Sequence, residues 1–123
     1  MAVYFYTQNP ASLIDDFTKR INGQRNTPWI SSMDVISNRG WWKRPYEFVF
    51  TSDVNLSSPH LNKMIAGIRW GNNTSMERDE YDYFNNLLVD TFLTKYSTPY
   101  NTVSSIEIQM KPVHPQDSIT VLT

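Results

Sequence analysis

Apolar side chains recur at every second residue in some segments of this chain and at helical spacing in others. A segment patterned for one period does not settle into the other, so a mixed α+β fold follows. Ile106, Ile108 and Met110 alternate with Glu107, Gln109 and Lys111, which predicts a half-buried strand over 106–111. Residues 3–7 are β-branched and aromatic and predict a first strand. That strand meets Asn9-Pro10, a cap followed by a proline in the first helical position, where its missing N–H costs nothing. Leu13, Ile14, Phe17 and Ile21 then recur until Gly23, so the spacing predicts a helix over 10–22. Residues 29–37 and 46–52 read as two strands of an antiparallel pair. Ser58-Pro59 repeats the cap-and-proline start, and Leu61, Met64, Ile65 and Ile68 fall at helical spacing before Gly71, predicting a helix over 59–70. Thr74-Ser75-Met76-Glu77 has capping-box spacing, and Tyr81, Phe84, Leu88, Phe92 and Tyr96 draw an apolar stripe that Pro99 stops, predicting a helix over 75–97. Prolines break 112–123, although 118–122 could add an edge strand.

The resulting order, β-α-β-β-α-α-β, resembles a ferredoxin-like sandwich whose second helical layer is split in two. That resemblance implies an antiparallel sheet with helices on one face. A length of 123 residues suits one domain, taken here as 1–111, with 112–123 as a C-terminal tail or edge strand. The absence of cysteine excludes thiol nucleophiles, thiolate metal sites and a disulfide framework. No apolar run approaches the roughly 20 residues a spanning helix needs, and residues 1–6 lack an export signal, so the expectation is a cytoplasmic protein without a membrane partner. A net charge of −1 argues against a chain built mainly to neutralise phosphates and equally against a DNA-mimicking polyanion.

The segment from Arg39 to Tyr46 concentrates Arg39, Lys43 and Arg44 with Trp41, Trp42 and Tyr46. Such a mixture suits a protein-binding hot spot, and it also offers nucleic acid both charge and stacking faces. The plainer alternative folds the tryptophans over the core and leaves the cations in water. Overlapping its end, Arg44-Pro45-Tyr46-Glu47-Phe48-Val49 resembles the third-strand signature of RNA-recognition-motif domains, and Val3-Tyr4 resembles the start of the first-strand signature. The resemblance implies Arg44 on phosphate and Tyr4, Tyr46 and Phe48 under bases. Pro45 and Glu47 stand where that family has small residues, and Phe5 where it has an aliphatic one. Read as a strand alone, Tyr46 and Phe48 form one buried face.

Glu77, Asp79, Glu80 and Asp82 crowd the start of the third predicted helix. Carboxylates belong at the positive end of a helix dipole; the same cluster also suits an acidic patch that engages a basic partner surface. His60 and His114 are the only imidazoles, and an acid–base pair of the metal-independent ribonuclease kind would need them to meet. No ligand spacing suggests a metal, no glycine loop cradles phosphate and no serine sits in a nucleophile elbow, so no cofactor is expected. The leading expectation is a non-enzymatic protein that binds and occludes a surface of a larger protein or nucleoprotein complex. Inhibitors, antitoxins, immunity proteins and phage-encoded anti-defence proteins share this profile. Its expected partner-binding residues are Arg39, Trp41, Trp42, Lys43, Arg44 and Tyr46, with Glu77, Asp79, Glu80 and Asp82 as a second patch. The alternatives are a single-strand RNA-binding sheet and, after it, the endoribonuclease; a homodimer through sheet edges or the C-terminal segment is compatible with either.

Overall fold

A computed structural model describes residues 2–22, 29–32, 35–38, 46–69, 75–96, 106–111 and 117–122. Strand β1 (Ala2–Tyr6) leads into helix α1 (Pro10–Asn22), whose start follows the predicted chemistry. The Asn9 side-chain oxygen accepts the Ser12 N–H at 3.2 Å, and Pro10 takes the first helical position. Strands β2 (Trp29–Ser32), β3 (Val35–Asn38), β4 (Tyr46–Asp53) and β5 (Lys63–Arg69) follow. A short strand β6 (Ser75–Glu77) precedes helix α2 (Arg78–Tyr96), and β7 (Glu107–Lys111) and β8 (Thr120–Leu122) complete the chain. Six strands form an antiparallel sheet in the order β2-β3-β4-β5-β1-β7, while β6 and β8 pair in parallel as a separate ribbon.

The α+β class stands, but three elements differ from the sequence reading. The helix predicted over 59–70 is not found over the described residues 59–69: a single 3-10 turn at Pro59–Leu61 gives way to β5. Met64, Ile65, Ala66, Gly67 and Ile68 are all buried: β5 lies between β4 and β1, with Met64, Ala66 and Ile68 in the helix-covered core and Ile65 in a small cluster on the opposite face. A strand buried on both faces is an unbroken apolar run, and periodicity cannot tell such a run from a buried helix. Where the sequence predicts one strand over 29–37, the described residues form two, β2 and β3, paired antiparallel with Ser32 opposite Val35. Residues 75–77 belong to β6, so α2 begins only at Arg78, with Asp79 and Glu80 in its first turn. The 118–122 segment adds to β6 as β8 and not to the main sheet among the described residues. The ferredoxin-like reading pairs the first strand directly with the strand predicted over 46–52, whereas here β5 separates β1 from β4, and among the described residues two helices replace the three expected.

Val3 and Phe5 of β1, Phe48 and Phe50 of β4, and Met64, Ala66 and Ile68 of β5 share one core with Leu13, Ile14, Phe17 and Ile21 of α1 and Tyr81, Phe84, Leu88 and Phe92 of α2. Rings of Phe5 and Phe92 lie 4.5 Å apart, and Phe17 packs against Phe50 and Phe92 at 5.7 and 5.3 Å, within the range of favourable aromatic pairing. Alternation places Ala2, Tyr4 and Ile65 on the opposite, outer face as a small second cluster. The C-terminal segment continues where β1 runs out. The pairing of β1 with β5 reaches Val3 opposite Ala66, and beyond it the Ile68 N–H donates to the Asp117 carboxylate while the Ser118 N–H donates to the Ile68 carbonyl. Among the described residues no helix is long and apolar enough to cross a membrane.

Candidate interaction surface

The Arg39, Trp41, Trp42, Lys43 and Arg44 positions lie outside the described residues, as does His114. The strand ends that flank this segment are described. Asn38 pairs with Tyr46, the first residue of β4, and Glu47 pairs with Arg69, so these two strand ends lie toward the Arg69 end of β5. The acidic start of α2 belongs to the same end. The Tyr81 hydroxyl donates to the Asp117 carboxylate, which in turn holds Ile68. Glu77 and Asp79 are exposed there, Glu80 is half-buried, and Asp82 pairs with Arg78 at 3.3 Å.

Phe48 and Tyr4 cannot act together as a stacking platform. Phe48 is 0% exposed in the helix-covered core, and Tyr4 lies on the other face of the sheet. The base-stacking role that the RNA-recognition resemblance implies for Phe48 is therefore corrected: burial of the alternate ring in the core decides its place. His60 sits exposed in the 3-10 turn. Among the described residues, no group of three or more His, Asp or Glu side chains could hold a metal ion.

At the other end of β5 the structure presents a surface that the sequence reading did not single out. The loop joining β4 to β5 carries Val54, Leu56 and Leu61, which are 54%, 92% and 42% exposed. Its backbone is tied at nearly every step. The Asn55 side-chain oxygen accepts the Ser57 and Ser58 N–H groups at 3.0 and 2.9 Å, an Asx turn that throws Leu56 outward. The Leu61 N–H donates to the Ser58 carbonyl and the Asn62 N–H to that of Pro59, closing the 3-10 turn. Buried Asn62 then fastens the whole loop to its neighbours. Its oxygen accepts the Asn55 N–H at 2.7 Å, its amide donates to the Gln8 carbonyl at 3.3 Å, and its own carbonyl accepts the Thr7 N–H at 3.0 Å.

Next to this loop the outer face ends in Tyr4, Tyr6, Lys63 and Asp53. Lys63 pairs with Asp53 at 3.0 Å, and its ammonium lies 5.5 Å from the centres of both tyrosine rings. Burial raises the Tyr4 hydroxyl above its ordinary value, although Lys63 pulls the other way. An amphipathic rim thus borders an apolar projection. Asn55-Leu56-Ser57-Ser58 carries an Asx-turn signal, but Ser58-Pro59 also fits a helix start, and that alternative concealed the loop. Comparison with known proteins returns no match to a family model, to a curated protein or to a solved structure.

Proposed function

We propose that this chain is a non-enzymatic interaction protein that covers part of the surface of a larger macromolecular complex, as inhibitors, antitoxins, immunity proteins and anti-defence proteins do. The observation that carries this reading is Leu56, 92% exposed at the crown of a loop clamped by Asn55 and Asn62. A single exposed leucine is ordinary on a protein surface. A leucine held out on a loop already fixed in place differs, because little further conformational freedom is lost when it enters a partner's pocket. Val54 and Leu61 flank it, and the Lys63–Asp53 pair with Tyr6 supplies a polar rim. In this reading Arg39, Trp41, Trp42, Lys43, Arg44 and Tyr46, together with Glu77, Asp79, Glu80 and Asp82, form a second contact at the far end of β5. The accompanying fold reading is a ferredoxin-like sandwich whose four core strands are β4, β5, β1 and β7, with β2 and β3 added at the β4 edge.

The test places a photo-crosslinking residue at position 56 and captures partners from a nuclease-treated lysate of the source cell. The expected result is a protein adduct through position 56 that disappears on competition with wild-type protein. Leu56→Asp should weaken capture about tenfold or more, as the loss of an interface anchor does, without moving the unfolding midpoint. Capture that ignores Leu56→Asp but fails in a Trp41→Ala/Trp42→Ala variant would move the anchor to the 39–46 segment. Loss of every partner on nuclease treatment would overturn the reading in favour of RNA binding.

A further inference from the structure

We propose that β7 is a self-complementary edge that pairs antiparallel with β7 of a second copy, about a two-fold axis at Gln109, fusing two six-stranded sheets into one. The strand is terminal in the sheet order and pairs only with β1 among the described residues. Its pairing with β1 runs without a bulge from Ala2 opposite Lys111 to Tyr6 opposite Glu107, and it contains no proline. Its outward row of N–H and C=O groups is therefore straight, and natural edges left in that state are commonly blunted by charge repulsion or covered.

Charge on β7 does the reverse of blunting. The strand reads Glu107-Ile108-Gln109-Met110-Lys111, with opposite charges at equal distances from its central residue. Antiparallel pairing centred on Gln109 sets Glu107 opposite the partner subunit's Lys111 and Lys111 opposite the partner subunit's Glu107. Ile108 then faces the partner's Met110 on the helix-covered side, where both residues are half-buried and pack at the margin of the core. A shift of two residues removes both ion pairs, a shift of four sets like charges opposite one another, and a parallel arrangement sets Glu beside Glu. Register and orientation are thus specified by the side chains. The charges on the outer face support the same conclusion. Glu47 pairs with Arg69 at 2.9 Å and Asp53 with Lys63 at 3.0 Å, whereas Glu107 and Lys111 have no ion-pair partner among the described residues. Because β7 meets β7, the contact closes at two copies and leaves no open end to propagate. The inference does not depend on what the β4–β5 loop binds.

Sedimentation equilibrium of the full chain tests it. The expected species is a dimer. Lys111→Glu or Glu107→Lys alone should raise its dissociation constant about tenfold or more, because two opposed pairs become like-charged. The double variant Glu107→Lys/Lys111→Glu should restore the dimer, since exchanging the charges preserves complementarity. Gln109→Cys should cross-link spontaneously under oxidation, and the chain contains no other cysteine to confuse the assignment. A wild-type chain that stays monomeric at high concentration, or a dimer indifferent to both single reversals, would overturn the proposal. Circular dichroism of each variant separates loss of pairing from loss of fold.

Discussion

Asn62 shows how one side chain turns a connection into a presentation device. It is buried yet polar, and it uses its amide in both directions, accepting from Asn55 and donating to Gln8. Burial of an amide is tolerated when its hydrogen bonds are made, and each such bond contributes about 1 kcal/mol. Asn62→Ala should therefore lower stability in urea denaturation by about 2 kcal/mol. Hydrogen exchange should show the Asn55 amide losing its protection while β5 amides keep theirs. Asn62→Asp retains the acceptor and gives up the donor, so it should fall between the two. Neither role is visible in the sequence, where Asn62 is one polar residue after Pro59-His60-Leu61. Leu56 is equally inconspicuous, because an isolated apolar residue among Asn and Ser carries no periodic signal. The tryptophans at 41 and 42 are conspicuous by composition alone, which explains why sequence reasoning favoured that loop over the one joining β4 to β5.

Helices α1 and α2 are joined by a polar knot in addition to the aromatic core. Asp16 accepts from the Tyr96 hydroxyl and from Arg20 at 2.7 Å, Arg20 also donates to the Lys95 carbonyl, and its guanidinium lies 4.4 Å from the Tyr96 ring centre. Burial alone would raise the Asp16 carboxyl, but the Tyr96 hydroxyl and Arg20 outweigh it and hold it below its ordinary value. Burial and then the bond to Asp16 push the Tyr96 hydroxyl up. A carboxyl depressed in the folded state contributes stability that is present above its unfolded value, about 3.9, and is lost as pH falls through the folded one. Asp16→Asn should flatten that acid limb and cost about 1 kcal/mol or less near neutral pH, because the side chain is 50% exposed and solvent screens it. Urea titrations at a series of pH values check both effects. At this scale the sequence was most legible where one face of an element is wet. Helix α1 and strand β7 have an exposed side that keeps their period visible, and both were located to within a residue or so. Between Met64 and Ile68 strand β5 has none, so its apolar run fits a helix equally well, and the strand order that depends on it is not legible in the sequence.

At the scale of the whole molecule, the C-terminal segment supports the central strand of the sheet. The Asp117 carboxylate accepts from the Ile68 N–H and the Tyr81 hydroxyl, and the adjoining Ser118 N–H donates to the Ile68 carbonyl. Ile119 is buried in the main core, and β8 pairs with β6 at the entrance to α2. These contacts connect the start of α2 to the middle of the sheet, a link that no short-range signal in the sequence could announce. A chain ending at Lys111 would leave both backbone groups of Ile68 and the Tyr81 hydroxyl without those partners. It would also uncover the apolar surface that Ile119 fills. Loss of one fully buried isoleucine contributes about 1.5–3 kcal/mol and the missing hydrogen bonds about as much again, so truncation should cost at least about 3 kcal/mol. Asp117→Ala, which keeps Ile119 and β8, should cost about 1–3 kcal/mol through the buried donors it strands. Equilibrium urea unfolding of the three chains side by side measures the difference. If the 1–111 chain matched the full chain in midpoint and cooperativity, the segment would be an appendage; the expected ordering, full chain above Asp117→Ala above truncation, makes it part of what holds α2 on the sheet.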